Sequence, residues 1–182
     1  TFGTAGDLVL TSQGDSIKTF GEGATAILAQ SIGGGGGFVG ASKDGVALGG
    51  ETQSNITAGA VTVTNSSLIQ TTGAASAGLI AQSIGGGGGV VSITESEKIS
   101  FGGSGLTNAD AGSVKVVNTG NIATTGITSP LIMVQSIGGG GGFTTTSDQT
   151  PALSKTNLIR LGDISSQRSK AGSINVENSG TL

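Results

Sequence analysis

The sequence predicts an all-β protein, a parallel β-solenoid made from a tandem repeat, and three observations lead there. An Ala-Gly pair recurs at Ala5-Gly6, Ala58-Gly59, Ala111-Gly112 and Ala171-Gly172, in steps of 53, 53 and 60 residues. Self-similarity at such a period marks arrays whose units stack on one another. After each landmark, apolar residues alternate with period two, as in a strand with one covered face. No segment shows a sustained 3.6-residue period with caps, so no helix is expected.

The units run over about 5–57, 58–110 and 111–170, with a partial fourth at 171–182. The pattern starts just before one unit and stops inside another, so the chain reads as a single repeat array, 1–182, excised from a longer protein. Within a unit the first strand pairs Leu8 with Leu10 on one face, then Val61 with Val63, Val114 with Val116 and Ile174 with Val176. Val9, Thr62, Lys115 and Asn175 lie on the other face, which suits solvent. A short second strand centres on Ile17, Ile69 and Ile122, and Val61, Val63, Ile69, Val114, Val116 and Ile122 are expected inside. Asn65, Asn118 and Asn178 close the first strand, where Asn favours a turn by bonding its own main chain. In the first unit that place falls on Ser12 or Gln13.

A third strand reads "LIAQSI" or its equivalent and runs into five glycines, at Gly33–Gly37, Gly85–Gly89 and Gly138–Gly142. Glycine loses more backbone entropy on folding than any other residue, so a single such run would read as a linker. Three runs, each entered from Ile32, Ile84 or Ile137 and left through Phe38, Val90 or Phe143, read instead as ordered and packed. Either a corner brings backbone against backbone, or the glycines form hydrogen-bonded rungs with the next layer. Two readings stay open for Gln30, Gln82 and Gln135: amides stacked in a ladder between layers, or side chains on a solvated face. The strand is apolar on both faces, so something is expected to cover its outer side. Weaker strands follow, "FVGA", "VVSI" and "FTTT", then "VALGG", "ISFGG" and "IRLGD". With three strands to a coil, each unit of about 53 residues would make two coils; one wide coil with an excursion is the other arrangement.

Composition narrows the chemistry. The chain has 36 Gly, 10% charged and 3% aromatic residues, and neither Cys nor His. Branched aliphatics can fill a narrow core, but nothing can form disulfides, thiolate sites or the common nucleophile–base pairs. Eight scattered Lys and Arg in a chain of net charge −3 do not suit a nucleic-acid backbone. No apolar run approaches the ~20 residues of a membrane-spanning helix, and no signal stretch opens the sequence. Gly35, Gly37 and Gly40 match a dinucleotide-binding spacing, yet Ser92 and Thr145 break it in the other copies and no helix follows. The runs hold no Asp for a calcium nonapeptide repeat. Glu95 and Glu97 share a strand face, but the other units offer Lys43 and Asp148 nearby, so no carboxylate constellation repeats. The sequence therefore points to no enzyme, no cofactor and no metal site.

The pattern AGxVxVxNsGxIxTtG…LIAQSIGGGGG…GGSG resembles the tandem passenger repeats of large bacterial autotransporters, over essentially the whole chain. Its most specific part is the Gln-Ser-Ile-Gly run from Gln30, Gln82 and Gln135. The resemblance implies a right-handed parallel β-helix, an extracellular or outer-surface location, and a role in adhesion, surface structure or biofilm. The third unit departs most, with "SPLIMVQ" for "SAGLIAQ" and "IRLGDISSQRSK" in place of a small "GGSG" corner. The expected function is a stalk, adhesin or filament segment. Its partners would be other repeats of the long chain or copies of itself, with a host surface or glycan as outside ligand. The alternative is a ligand-binding solenoid, ice-binding or glycan-binding. Thr62 and Thr64 would begin a flat Thr-x-Thr rank, which Lys115/Val117 and Asn175/Glu177 interrupt.

Overall fold

The computed structural model describes residues 4–42, 46–49, 55–93, 99–102, 108–146, 159–161 and 169–182. The first unit forms β1 (Leu8–Ser12), β2 (Ser16–Thr19), β3 (Ile27–Ile32), β4 (Gly36–Ser42) and β5 (Val46–Leu48). The second forms β6 (Val61–Asn65), β7 (Leu68–Thr71), β8 (Leu79–Ile84), β9 (Gly88–Ile93) and β10 (Ile99–Phe101). The third forms β11 (Val114–Asn118), β12 (Ile122–Thr124), β13 (Ile132–Ile137), β14 (Gly141–Thr146) and β15 (Ile159–Leu161), and β16 (Ile174–Asn178) opens the fourth. The described residues contain no helix.

Each strand pairs in parallel with its equivalent in the next unit, which gives five sheets: A (β1-β6-β11-β16), B (β2-β7-β12), C (β3-β8-β13), D (β4-β9-β14) and E (β5-β10-β15). Leu8 lies beside Val61 and Val61 beside Val114, a full unit apart. A unit is therefore one wide coil of five strands, not two coils of three. Sequence alternation counts strands and assigns their faces, but only the pairing offset says how many strands separate a layer from the next.

Register also locates the irregularities. Ser12 pairs with Asn65, 53 residues on, and Ser16 with Leu68, 52 on, so the extra residue of the first unit sits in the turn at 13–15. In the third unit the offset is 53 at Gly88–Gly141 and 60 at Ile99–Ile159, which places seven extra residues between β14 and β15. That stretch, 147–158, is outside the described residues. The following corner keeps its length: 15 positions separate Ile159 from Ile174, as they separate Ile99 from Val114 and Val46 from Val61. The divergent "IRLGDISSQRSK" segment thus leaves the coil spacing unchanged.

Alternation sends one face of A, B and C inward. Val61, Val63, Ile69, Leu79, Ala81, Val114, Val116 and Ile122 form one apolar core with Ile27 and Ala29, as expected for the first two strands. Lys115 is exposed, Thr62 is half-buried and Val9 is 76% exposed, so the register of faces is the one read from sequence. The opposite face of sheet C carries Leu28, Ile80 and Met133, which pack against Val90 and Phe143 of sheet D. The reverse side of D, through Val39 and Val91, meets Phe101, Val46 and Leu48 of sheet E. Sheet C is thus an interior layer, which is why β8 is buried along its whole length. The cover expected over "LIAQSI" is the later part of its own coil.

Truncation inside this core should cost far more than truncation on the outer face. Ile69→Ala is expected to lose about 2–5 kcal/mol in denaturant unfolding. Lys115→Ala, which breaks only a surface pair to Glu177 at 3.5 Å, should lose no more than about 1 kcal/mol. Equal losses would mean that the faces are misassigned.

Candidate functional site

The repeated polar residues converge on contacts between coils. On the covered face of sheet C, Gln30 Nε2 donates to Gln82 Oε1 at 2.7 Å, and Gln82 Nε2 to Gln135 Oε1 at 2.5 Å. Strands in register stand roughly 4.8 Å apart, so identical amides lie one above the other and each can donate to the next. Gln82 is fully buried, which a primary amide tolerates only with partners. Gln30 and Gln135 also direct Nε2 toward Gly37 O and Gly142 O, each at 3.5 Å. Of the two sequence readings, the ladder is the one observed.

At the end of sheet A, Asn65 Nδ2 donates to Asn118 Oδ1 and Asn118 Nδ2 to Asn178 Oδ1, both at 2.7 Å. The same nitrogens close the local turn: Asn65 to Ser67 O at 3.0 Å, Asn118 to Gly120 O at 2.7 Å and Asn178 to Gly180 O at 2.8 Å. The turn role expected from sequence is present, and a second buried ladder is added to it. In the first coil the register position is Ser12, whose Oγ lies 3.0 Å from Ser67 Oγ.

Sequence reasoning missed a third chain of bonds. Ser31 Oγ donates to Gly6 O at 3.0 Å and accepts from Gly59 N at 2.9 Å. Ser83 repeats this between Gly59 O and Gly112 N, both at 2.8 Å, and Ser136 between Gly112 O at 2.8 Å and Gly172 N at 2.7 Å. The serine of every Gln-Ser-Ile stretch thereby stitches sheet C to two successive Ala-Gly landmarks. Its recurrence directly after each Gln was the available signal. A smaller set locks the corner before sheet C: Thr19, Thr71 and Thr124 donate to Ala24 O, Ser76 O and Ser129 O at 2.6, 2.7 and 2.8 Å.

The glycine runs form the seam where the chain turns from sheet C back across it as sheet D. Gly85–Gly89 are all buried. Gly36 pairs with Gly88 and Gly88 with Gly141, while Gly37 pairs with Gly89 and Gly89 with Gly142. A Cβ on Gly33 would lie 2.6 Å from Ile56 Cγ2, one on Gly138 would lie 2.6 Å from Lys170 O, and one on Gly85 would meet Ala109 O. Added carbons on Gly89 and Gly142 would collide with Gly37 O and Gly89 O. Gly37 differs: nothing lies within 4 Å, and only its φ of +146° calls for glycine. At the centre of the seam two segments of backbone approach the same glycine. Gly87 has φ +93°, and a Cβ there would sit 2.8 Å from both Gly35 O and Gly49 Cα. Gly140 repeats this against Gly102 Cα at 2.7 Å. The chain leaving sheet E crosses the seam at Gly49 and Gly102, so backbone meets backbone from two directions.

Among the described residues no three His, Cys, Asp or Glu side chains come together as a metal site would require. Glu95, Glu97, Lys43 and Asp148 lie outside the described residues. On the outer face of sheet A, Thr62 and Thr64 stand in register between Val9/Thr11 and Lys115/Val117, so the threonine rank is interrupted on its neighbouring strands. Where two coils meet, the Gln, Asn and Ser side chains of these series bond one another or the adjoining main chain rather than being presented outward.

Two substitutions test the seam and the ladder by thermal melting. Gly87→Val should lower stability by about 1–3 kcal/mol through overpacking alone, with backbone strain added, while Thr62→Val stays near the parent. Parallel melting of the two would make the run a spacer. Asn118→Ala should cost about 1–3 kcal/mol for each buried amide left unpaired, and an unchanged midpoint would remove the ladder from the stability account.

Comparison of the chain with family models, with curated proteins and with solved structures gives no match.

Proposed function

We propose that this chain is a structural and adhesive segment of a bacterial surface or secreted passenger: a stiff column in a stalk, adhesin or extracellular filament. The observation that supports the reading most is the set of parallel ladders that join successive coils in register, Gln30–Gln82–Gln135 above all. A device repeated in successive layers and turned inward serves the column as a whole, whereas a catalytic site needs different residues gathered at one level. An ice-binding rank needs repeated residues on an outer face, where Lys115 and Val117 interrupt Thr62 and Thr64. The buried side chains among the described residues carry no charge, and this and the resemblance to autotransporter passengers agree with this reading. Under it the partners are further coils of the same pattern, with any host or glycan contact made on the outer faces.

Location separates this function from an internal one. Antibodies raised against the folded chain should label intact, unpermeabilised producing cells, or their extracellular material. Labelling that appears only after permeabilisation would overturn the surface role.

A further inference from the structure

Sheet C stacks three short strands of nearly one sequence, parallel and in register, with a continuous amide ladder: Gln30 beside Gln82 beside Gln135. Both faces are packed, one on the core of A and B, the other on sheet D. Uncharged, proline-free strands of six residues in this arrangement are the local geometry of a steric zipper. Here the stacked strands belong to one chain and are joined by about a unit of sequence, but the contacts between β8 and β13 do not involve that connection. Of the three copies, Ile132–Ile137 has the strongest strand-forming sequence, with β-branched Val134 where the others have Ala29 and Ala81.

We propose that Ile132–Ile137, when released from the fold, recruits the same strand of a second copy of this chain into a parallel, in-register stack. Its partner is then identical to itself, Gln135 beside Gln135, instead of the near-identical β8. The folded array protects this strand by supplying a cognate neighbour in the same chain and a cover from sheet D.

The single methionine of the chain, Met133, lies inside the strand and makes the test free of mutation. In the folded chain its register neighbour is Ile80, so no two methionine carbonyls adjoin. The full chain carrying ¹³C at the methionine carbonyl would be unfolded in guanidinium, diluted at increasing protein concentration, and any fibrils read by solid-state ¹³C dipolar recoupling. The expected result is fibrils with methionine carbonyls about 4.8 Å apart. Quantitative return to soluble, folded chain at every concentration, or fibrils without that coupling, would overturn the proposal.

Discussion

The structure depends on one steric constraint: the backbone must reverse between sheets C and D in a space that admits no side chain. Sheet D has to lie close over the outer face of C, or Leu28, Ile80, Met133 and the Gln ladder would stand in water. The returning chain at Gly49 and Gly102 passes the same point. Glycine is poor strand material and costs backbone entropy to order. The runs are accepted because what they permit, a second packed face on an apolar strand, outweighs that cost. Roughly 25 cal/mol for each Å² of apolar surface removed from water accrues along the whole length of β8.

Among the described residues, the buried side-chain bonds along the axis come from neutral groups. Amides from Gln and Asn, and the hydroxyls of Ser31, Ser83 and Ser136, link each coil to the next at distances of 2.5–3.0 Å. Each such bond is worth only about 0.5–1.5 kcal/mol net, but leaving one buried group unpaired costs about 1–3 kcal/mol. The ladders therefore act chiefly as registers. A slip by one residue would move every Gln and every inward Val to the wrong face at once. Contacts between neighbouring coils dominate such a structure, so stability grows with the number of coils in nearly additive steps.

The width of the coil sets what an array of this kind can span. With one layer per unit, each step of about 53 residues extends the column by roughly 4.8 Å. Two coils per unit would have doubled that reach for the same length of sequence. The molecule favours girth over length: a three-sheet core A–B–C with two further layers, D and E, on one side. Length variation gathers between the fourth and fifth strands of the coil, where the third unit carries seven extra residues without shifting β15 or β16.

Much of this was legible in the residues, for local reasons. Val61 and Val63 share a face because side chains alternate along any strand, and the landmark spacing of 53 residues equals the pairing offset because stacked units must repeat their register. The cover over "LIAQSI" was legible too, since a strand apolar on both faces must be buried on both. The number of coils per unit was not, because alternation names the faces of strands and leaves their partners open. Neither was the serine staircase, in which Ser31 and Gly59 meet across a coil from two unrelated landmarks. That glycine was needed could be read from the apolar residues on either side of each run. What crowds Gly87, namely Gly35 from the coil below and Gly49 from across the seam, arises only when the chain has closed its coil. Sequence by itself determined which atoms could be buried and at what period; the tertiary structure decided which backbone would lie against which, because that depends on contacts between segments a whole coil apart.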